Sequence, residues 1–224
     1  STHDFLMRYH DHSGPFHNHV GAFGPDEVTA WMEGLGMPVY LIPSNHDRRE
    51  ALRQVFGDWP TFCDDPTFID FSANLGPVRI VGVDTVVPGH GHGALCDHRL
   101  RRLETTLAQA PDTPTLVFLH HPPFVCGIEH MDKIRLLDGA EELQRIVAAN
   151  PQVERVLTGH HHRPIQTRWA GTIAQIAPSV AHQMEFSLDP GAEGALVLEP
   201  PAFLIHAWIE GTGLVSHQVY VERY

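Results

Sequence analysis

The sequence has few cysteines, no long apolar run and a shortage of positive charge, and each absence narrows what the chain can be. Its three cysteines, Cys63, Cys96 and Cys126, are odd in number and widely spaced, which excludes a disulfide framework and a Cys-x-x-Cys metal knuckle. Each is expected to be a buried thiol rather than a nucleophile. No apolar stretch approaches the roughly 20 residues that a membrane-crossing helix requires. Nor does the N-terminus show the basic, apolar, small-residue order of a leader peptide, so a cytoplasmic location is expected. Lys and Arg number 15 against 27 Asp and Glu, a formal net charge of −12. Such a chain has no basic field with which to displace counterions from a nucleic-acid backbone. A small anionic substrate stays open, because bound divalent ions would change the local field. With 42% hydrophobic and 19% charged residues, the 224 residues suit one globular core, and the whole chain, 1–224, is expected to be one domain.

What the sequence has in abundance is histidine, 18 in all, many beside Asp, Asn and Gly. Residues 1–24 hold His3, Asp4, His10, Asp11, His12, His17 and His19, with Gly14, Pro15, Gly21 and Gly24 breaking any period. This segment is expected to be a loop, with at most a short element near Phe5 to Tyr9. Residues 26–35 are helical in pattern, with Val28, Trp31, Met32 and Leu35 on one face and Gly36 as the stop. The apolar run 38–42 predicts a covered strand. Strands over 78–83, 115–119 and 153–158 then alternate with helices over 97–109 and 138–149, the signature of an α/β core with parallel or mixed sheets. From residue 164 the pattern turns to strands: 165–169, 172–176, 183–188, 203–210 and 214–222. The last two form a hairpin around Glu210–Gly213.

Polar clusters stand at the C-terminal ends of three of these strands. The run 38–42 leads into Ser44-Asn45-His46-Asp47, 115–119 into His120-His121-Pro122-Pro123, and 153–158 into Gly159-His160-His161-His162-Arg163. In open α/β sheets, loops from separate strands converge on a ligand at this edge. Imidazole nitrogen and amide oxygen are good ligands for Zn, Mn, Fe or Co. In an extended Gly-His-x-His turn the outer two histidines point the same way and His161 points elsewhere. Taken singly, each cluster has a plainer reading: a hydrogen-bonded strand-end histidine, a turn or helix cap, an exposed loop. Three of them at equivalent strand ends favour one shared metal site.

These residues resemble the calcineurin-like metallophosphoesterases, in particular the branch of cyclic-nucleotide and glycerophosphodiester phosphodiesterases. That family's ordered pattern is Asp-x-His, Gly-Asp-x-x-Asp, Gly-Asn-His-Asp, a strand ending in His before Pro, and Gly-His-x-His. Ser44 to Asp47 match the third motif with Ser44 in place of Gly, His120 to Pro123 the fourth, and Gly159 to His162 the fifth. The likeness spans residues 28–210, including Arg48 and the Pro178–His182 segment. It implies a two-sheet sandwich flanked by helices, a four-layer αββα arrangement. It also implies that Asn45, His120 and His160 are ligands of a second metal and His162 a ligand of the first. His46 then contacts a phosphoryl oxygen or protonates the leaving group, Asp47 orients or supports it, and His121 is structural or faces substrate.

The first two motifs do not occur before residue 44, and the opening β-α-β unit is expected to be missing. Three explanations stay open: a lost first segment; surrogate ligands from Asp4, His10, Asp11, His12, His17 or His19; or a site holding one metal ion or none. The family arrangement implies two divalent or mixed-valence ions of Mn, Fe, Zn or Co. The metals would polarise a phosphoryl oxygen and lower the pKa of water while His46 assists the leaving alkoxide. A diester carries one negative charge where a monoester carries about two, so an incomplete site favours small diesters. Arg48, Arg163, His90 and His92 are candidates to line the pocket, whereas Asp84 is expected to cap a strand end. The alternatives are a catalytically impaired metal- or nucleotide-binding descendant and a phosphomonoesterase. Residues 193–209 and the edge of the 203–222 hairpin are a candidate homo-oligomer interface.

Overall fold

The computed structural model describes residues 4–7, 30, 33–57 and 65–221. In chain order they form β1 (Asp4–Met7), α1 (Arg49–Phe56), β2 (Phe71–Leu75), β3 (Val78–Val83) and β4 (Gly93–Ala94). Then come α2 (Asp97–Ala108), β5 (Thr115–Leu119), α3 (Glu129–Asp132), β6 (Leu136–Asp138), α4 (Ala140–Ala148) and β7 (Val153–Thr158). The remainder is β8 (Ile165–Trp169), β9 (Thr172–Ile176), β10 (Gln183–Met184), β11 (Leu196–Val197), β12 (Ala202–Ile209) and β13 (Gly213–Tyr220). Among the described residues no helix is long and apolar enough to cross a membrane.

The main sheet has six strands in the order β2-β3-β5-β7-β9-β8. Its four inner strands run parallel, with β2 and β8 antiparallel at the two edges. Parallel neighbours need a long crossover, which α2 supplies between β3 and β5 and α4 between β5 and β7. Alternation along the inner strands divides their side chains between two layers. Val81 and Val117 face Leu100, Leu103 and Leu107 of α2 and Leu143 and Val147 of α4. Ile80 and Leu116 join the cluster that packs against Trp208 and Leu214 of a second sheet, ordered β1-β12-β13. The described residues thus show the expected α/β sandwich: a helix layer, a mixed sheet and a facing antiparallel sheet.

Several expectations need correction. Residues 38–42 are not assigned as a strand. The run lies between Pro38 and Pro43, which lack backbone N–H donors, and side chains hold it instead: Tyr40 stacks on Phe71 at 5.3 Å, and Tyr40 and Ile42 pack on the inter-sheet cluster. The strand expected over 183–188 stops at Met184, because it pairs only with the two-residue β11. The edge strand β2 and the short pieces β4, β6 and α3 carry too little apolar period to be read in advance, whereas α1, not expected from the sequence, sets Leu52, Val55 and Phe56 on one face. The helix expected over 26–35 lies largely outside the described residues. Its end is nevertheless visible: Gly34 N–H donates to Ala30 O (3.0 Å), and Gly36 takes a left-handed φ of 63°. The short element expected near Phe5 is β1, in register with β12 from Asp4↔Ala207 to Met7↔Leu204. Cys96 is exposed rather than buried, at the N-terminus of α2. Cys126 is half-buried, and Cys63 lies outside the described residues.

Candidate metal centre

Because β5 and β7 are adjacent and parallel, their C-terminal ends reach the same edge of the sheet. There Gly159 N–H donates to His120 O (3.1 Å), which locks the two strand-end loops together. The Asn45 turn arrives from the other side, and His120 Nε2 donates to Asn45 Oδ1 at 2.7 Å. The same amide's Nδ2 donates to His46 Nε2 at 3.0 Å, so one side chain bridges two histidines. The His160 ring packs against both His120 and His121, with centroid separations of 4.8 and 4.7 Å. His160 Nε2 donates to Ile134 O at 3.0 Å.

These rings are deeply buried, His120 and His121 at 0% exposure and His160 at 5%. Burial, reinforced by the neighbouring imidazoles, holds His120 and His121 well below the ordinary histidine range. Burial likewise takes His161 down to about 3. Neutral rings are the form in which histidine binds metal. One nitrogen each from His120, His121 and His160 lies within 4.8 Å of the others. The donor chemistry therefore fits a divalent ion of the Zn, Mn, Fe or Co type. His121 is placed differently from the other two. Its Nδ1 pairs with Thr85 Oγ1 (2.8 Å) and its Nε2 donates to Gly91 O (3.1 Å), so both nitrogens serve the fold.

The fifth motif is not the extended turn expected. His160 and His162 both adopt left-handed backbone, with φ of 69° and 48°, a conformation that costs a non-glycine residue about 1–3 kcal/mol. The turn is closed by His161 N–H donating to Gly159 O at 2.8 Å. The outer pair consequently diverges in its ring contacts: His160 meets His120, whereas His162 meets His182 at 4.7 Å. The field of His162 still reaches His120. His161 turns toward Cys126 Sγ, 3.5 Å from its Nδ1.

Of the proposed surrogate ligands, Asp4 lies in β1, while His10, Asp11, His12, His17 and His19 lie outside the described residues. Asp47 Oδ2 accepts the Ser44 backbone N–H (2.8 Å) and closes the turn that presents Asn45 and His46. Arg163 is anchored away from solvent, with Nη1 near Glu199 (3.1 Å) and its guanidinium over the Phe186 ring. Asp84 is fully committed: it accepts from Arg49 Nε and Nη2 and from the Ile69 and Val86 N–H groups. Sequence reasoning missed Thr85, Gly91 and Ile134, which fix the histidines, because two of these act through backbone carbonyls. A signal existed for Gly93, which follows Gly-His-Gly-His: a Cβ there would stand 2.5 Å from the His121 ring.

The family described as calcineurin-like phosphoesterase matches residues 9–164. A probable glycerophosphodiester phosphodiesterase of Arcobacter nitrofigilis is 36% identical over 190 residues, covering 85% of this chain and 69% of the relative. A probable cyclic nucleotide phosphodiesterase of Rhodopseudomonas palustris is 37% identical, covering 86% and 70%. The 3',5'-cyclic adenosine monophosphate phosphodiesterase of Escherichia coli K12 is 30% identical, covering 86% and 72%. Among solved structures, a dimetal phosphatase of Danio rerio shares the fold with a TM-score of 0.56 at 13% identity, covering 88% of this chain and 76% of that one.

Proposed function

Because the chain belongs to the calcineurin-like phosphoesterase family, we propose that it is a metal-dependent phosphodiesterase acting on small diesters such as cyclic nucleotides or glycerophosphodiesters. One observation carries the reading: Asn45 and His120, 75 residues apart in sequence, meet at 2.7 Å where the His160 ring arrives from a third loop. Asn45, His120 and His160 would hold one metal ion and His162 would serve the other, with His121 as the packed spacer that sets the separation of His120 and His160. A divalent ion held there would neutralise charge on the phosphoryl oxygens and lower the pKa of water.

The chain's own groups do the rest. His46 is exposed at the rim, and its Nε2 accepts from Asn45 Nδ2, which leaves the proton of the neutral ring on Nδ1. Nδ1 is then the position from which a proton reaches the departing alkoxide. Asp47 is a positioning residue, since its carboxylate holds the turn that carries both Asn45 and His46. Burial holds His120, His121 and His161 below the ordinary histidine range, so these rings add no positive charge to that of the ion. That modest positive charge matches the single charge of a diester better than the double charge of a monoester.

The test is hydrolysis of bis(p-nitrophenyl) phosphate by metal-stripped protein titrated with Mn²⁺, with His160→Ala alongside. Turnover that rises with metal and disappears in the variant is expected. Turnover no greater than in the variant would sink the enzyme reading and leave a binding protein on this scaffold.

A further inference from the structure

The loop between β3 and β4 contains Gly89-His90-Gly91-His92, whose two imidazoles contact each other. Their rings stand 5.0 Å apart at a tilt of 58°. Neither imidazole makes a hydrogen bond within the described residues. His90 is exposed and His92 half-buried. The loop that carries them is held firmly: Val86 and Gly93 form an antiparallel bridge, and His90 N–H donates to Val87 O at 3.0 Å across the turn. Gly89 allows that turn with a left-handed φ of 78°.

The position of this loop is set by the metal centre itself. Gly91, the residue between the two histidines, gives its carbonyl to His121 Nε2, and His121 packs against both His120 and His160. A Cβ on Gly91 would touch Ile134 at 3.5 Å, and Ile134 O holds His160. The two rim rings are therefore each one residue from a carbonyl bonded into the histidine cluster. The fields of both His46 and His92 reach His121, so the proposed proton donor and this loop both stand near the histidine cluster.

From this juxtaposition we infer that His90 and His92 contact the alcohol portion of the diester and select alcohols that carry hydroxyl groups. The inference rests on the phosphodiesterase reading. A neutral imidazole offers one donor and one acceptor, the same complement that a hydroxyl presents. A hydrocarbon chain has neither, so binding it would displace water from both rings without replacement. With two such rings side by side, the rim suits a vicinal diol such as that of a glyceryl ester.

The experiment compares two diesters with one leaving group, glyceryl p-nitrophenyl phosphate and propyl p-nitrophenyl phosphate. The Mn²⁺-loaded full chain is assayed beside His92→Ala, His92→Asn and His90→Ala. The wild type should favour the glyceryl ester in kcat/KM by about tenfold, the scale of one or two hydrogen bonds. His92→Ala should bring that ratio close to one by lowering kcat/KM for the glyceryl ester more than for the propyl ester, and His92→Asn should recover part of the preference. His90→Ala, at an exposed position, should lower the ratio in the same sense. A wild-type ratio of one, or equal losses on both esters in both alanine variants, would overturn the inference. Failure of the wild type to hydrolyse either ester would instead overturn the phosphodiesterase reading on which it rests.

Discussion

Two polar clusters are buried a short distance apart in this chain, and they are built on opposite terms. One comprises Asp65, Asp70 and Asp84 with the arginines that surround them. Asp84 accepts four hydrogen bonds, two from the Arg49 guanidinium at 2.6 and 2.8 Å. Asp65 accepts from Thr67 and Phe68 N–H and from His98, with Arg102 at 3.3 Å. Burial alone would raise the Asp65 pKa, but the His98 contact, the two backbone N–H groups and Arg102 outweigh it and hold the carboxyl at about 2. The other cluster is a set of histidines that, among the described residues, meet neutral groups: Asn45 Oδ1, Thr85 Oγ1, Gly91 O, Ile134 O and Cys126 Sγ. The Asp65 and Asp84 carboxylates, already matched by arginines, have nothing further to offer a ligand. Neutral imidazoles packed together keep their capacity to accept a cation. The first cluster reads as structure and the second as a site, although both are buried and polar.

The largest effect expected from this contrast is on stability. Asp84→Ala leaves the Arg49 charge without its partner and should cost about 3–5 kcal/mol in urea unfolding, with metal-dependent turnover per folded molecule preserved. If the loss falls on turnover and not on stability, the division between the clusters is wrong.

The converse substitution, His160→Ala, should lower kcat/KM by more than about 100-fold, beyond what loss of a supporting contact around a metal removes. Far-ultraviolet circular dichroism should stay unchanged. A related measurement needs no activity: Mn²⁺ at about 100 times its Kd should raise the unfolding free energy of wild type by about 2.7 kcal/mol. That gain should vanish in His160→Ala and persist in Asp84→Asn. A smaller loss is expected for Gly93→Ala, whose Cβ would stand 2.5 Å from the His121 ring. Overpacking of that kind costs about 1–3 kcal/mol, and here it should also reduce turnover through displacement of His121.

The smallest effect expected is in the response to acid, where two buried groups act in opposite directions. Burial, reinforced by the nearby Asp84 charge, raises Asp70 to about 6 despite a hydrogen bond from Asp84 N–H. Its contribution to stability is fully present below the unfolded carboxylate range near pH 4 and is lost as pH rises through 6. Burial lowers His206, between the two sheets, to about 4. Its contribution is present above the unfolded histidine range near 6.5 and is lost as pH falls through 4. Asp70→Asn should therefore steepen the fall in urea midpoint between pH 6 and 4. An unchanged slope would remove Asp70 from the account.

Much of the fold was legible in the chain. Strands 78–83, 115–119, 153–158, 165–169 and 172–176 appear with the boundaries expected, because each is rich in β-branched and apolar residues and is bounded by Gly, Pro or polar residues. The run 38–42 carries the same signal and is not a strand, since a strand also needs a neighbour with N–H and C=O groups in register. The arginine partners of the aspartates were not legible, because Arg49 and Asp84 are joined only by the packing of α1 against the end of β3. The same holds for the rim loop: Gly-His-Gly-His could be seen, but its attachment to His121 could not.

Local chemistry in the sequence determined the kind of site: histidines and an asparagine placed just after apolar runs, where strands end and backbone N–H and C=O groups turn toward solvent. Which of these side chains meet was decided by the tertiary structure alone. Adjacent parallel strands place His120 and His160 at one edge, and left-handed backbone at His160 and His162 sends their rings to different neighbours. Backbone carbonyls at Gly91 and Ile134 then hold His121 and His160 in place. Ring direction and carbonyl position depend on φ, ψ and register, which many sequences can share, so only the folded chain discriminates among them.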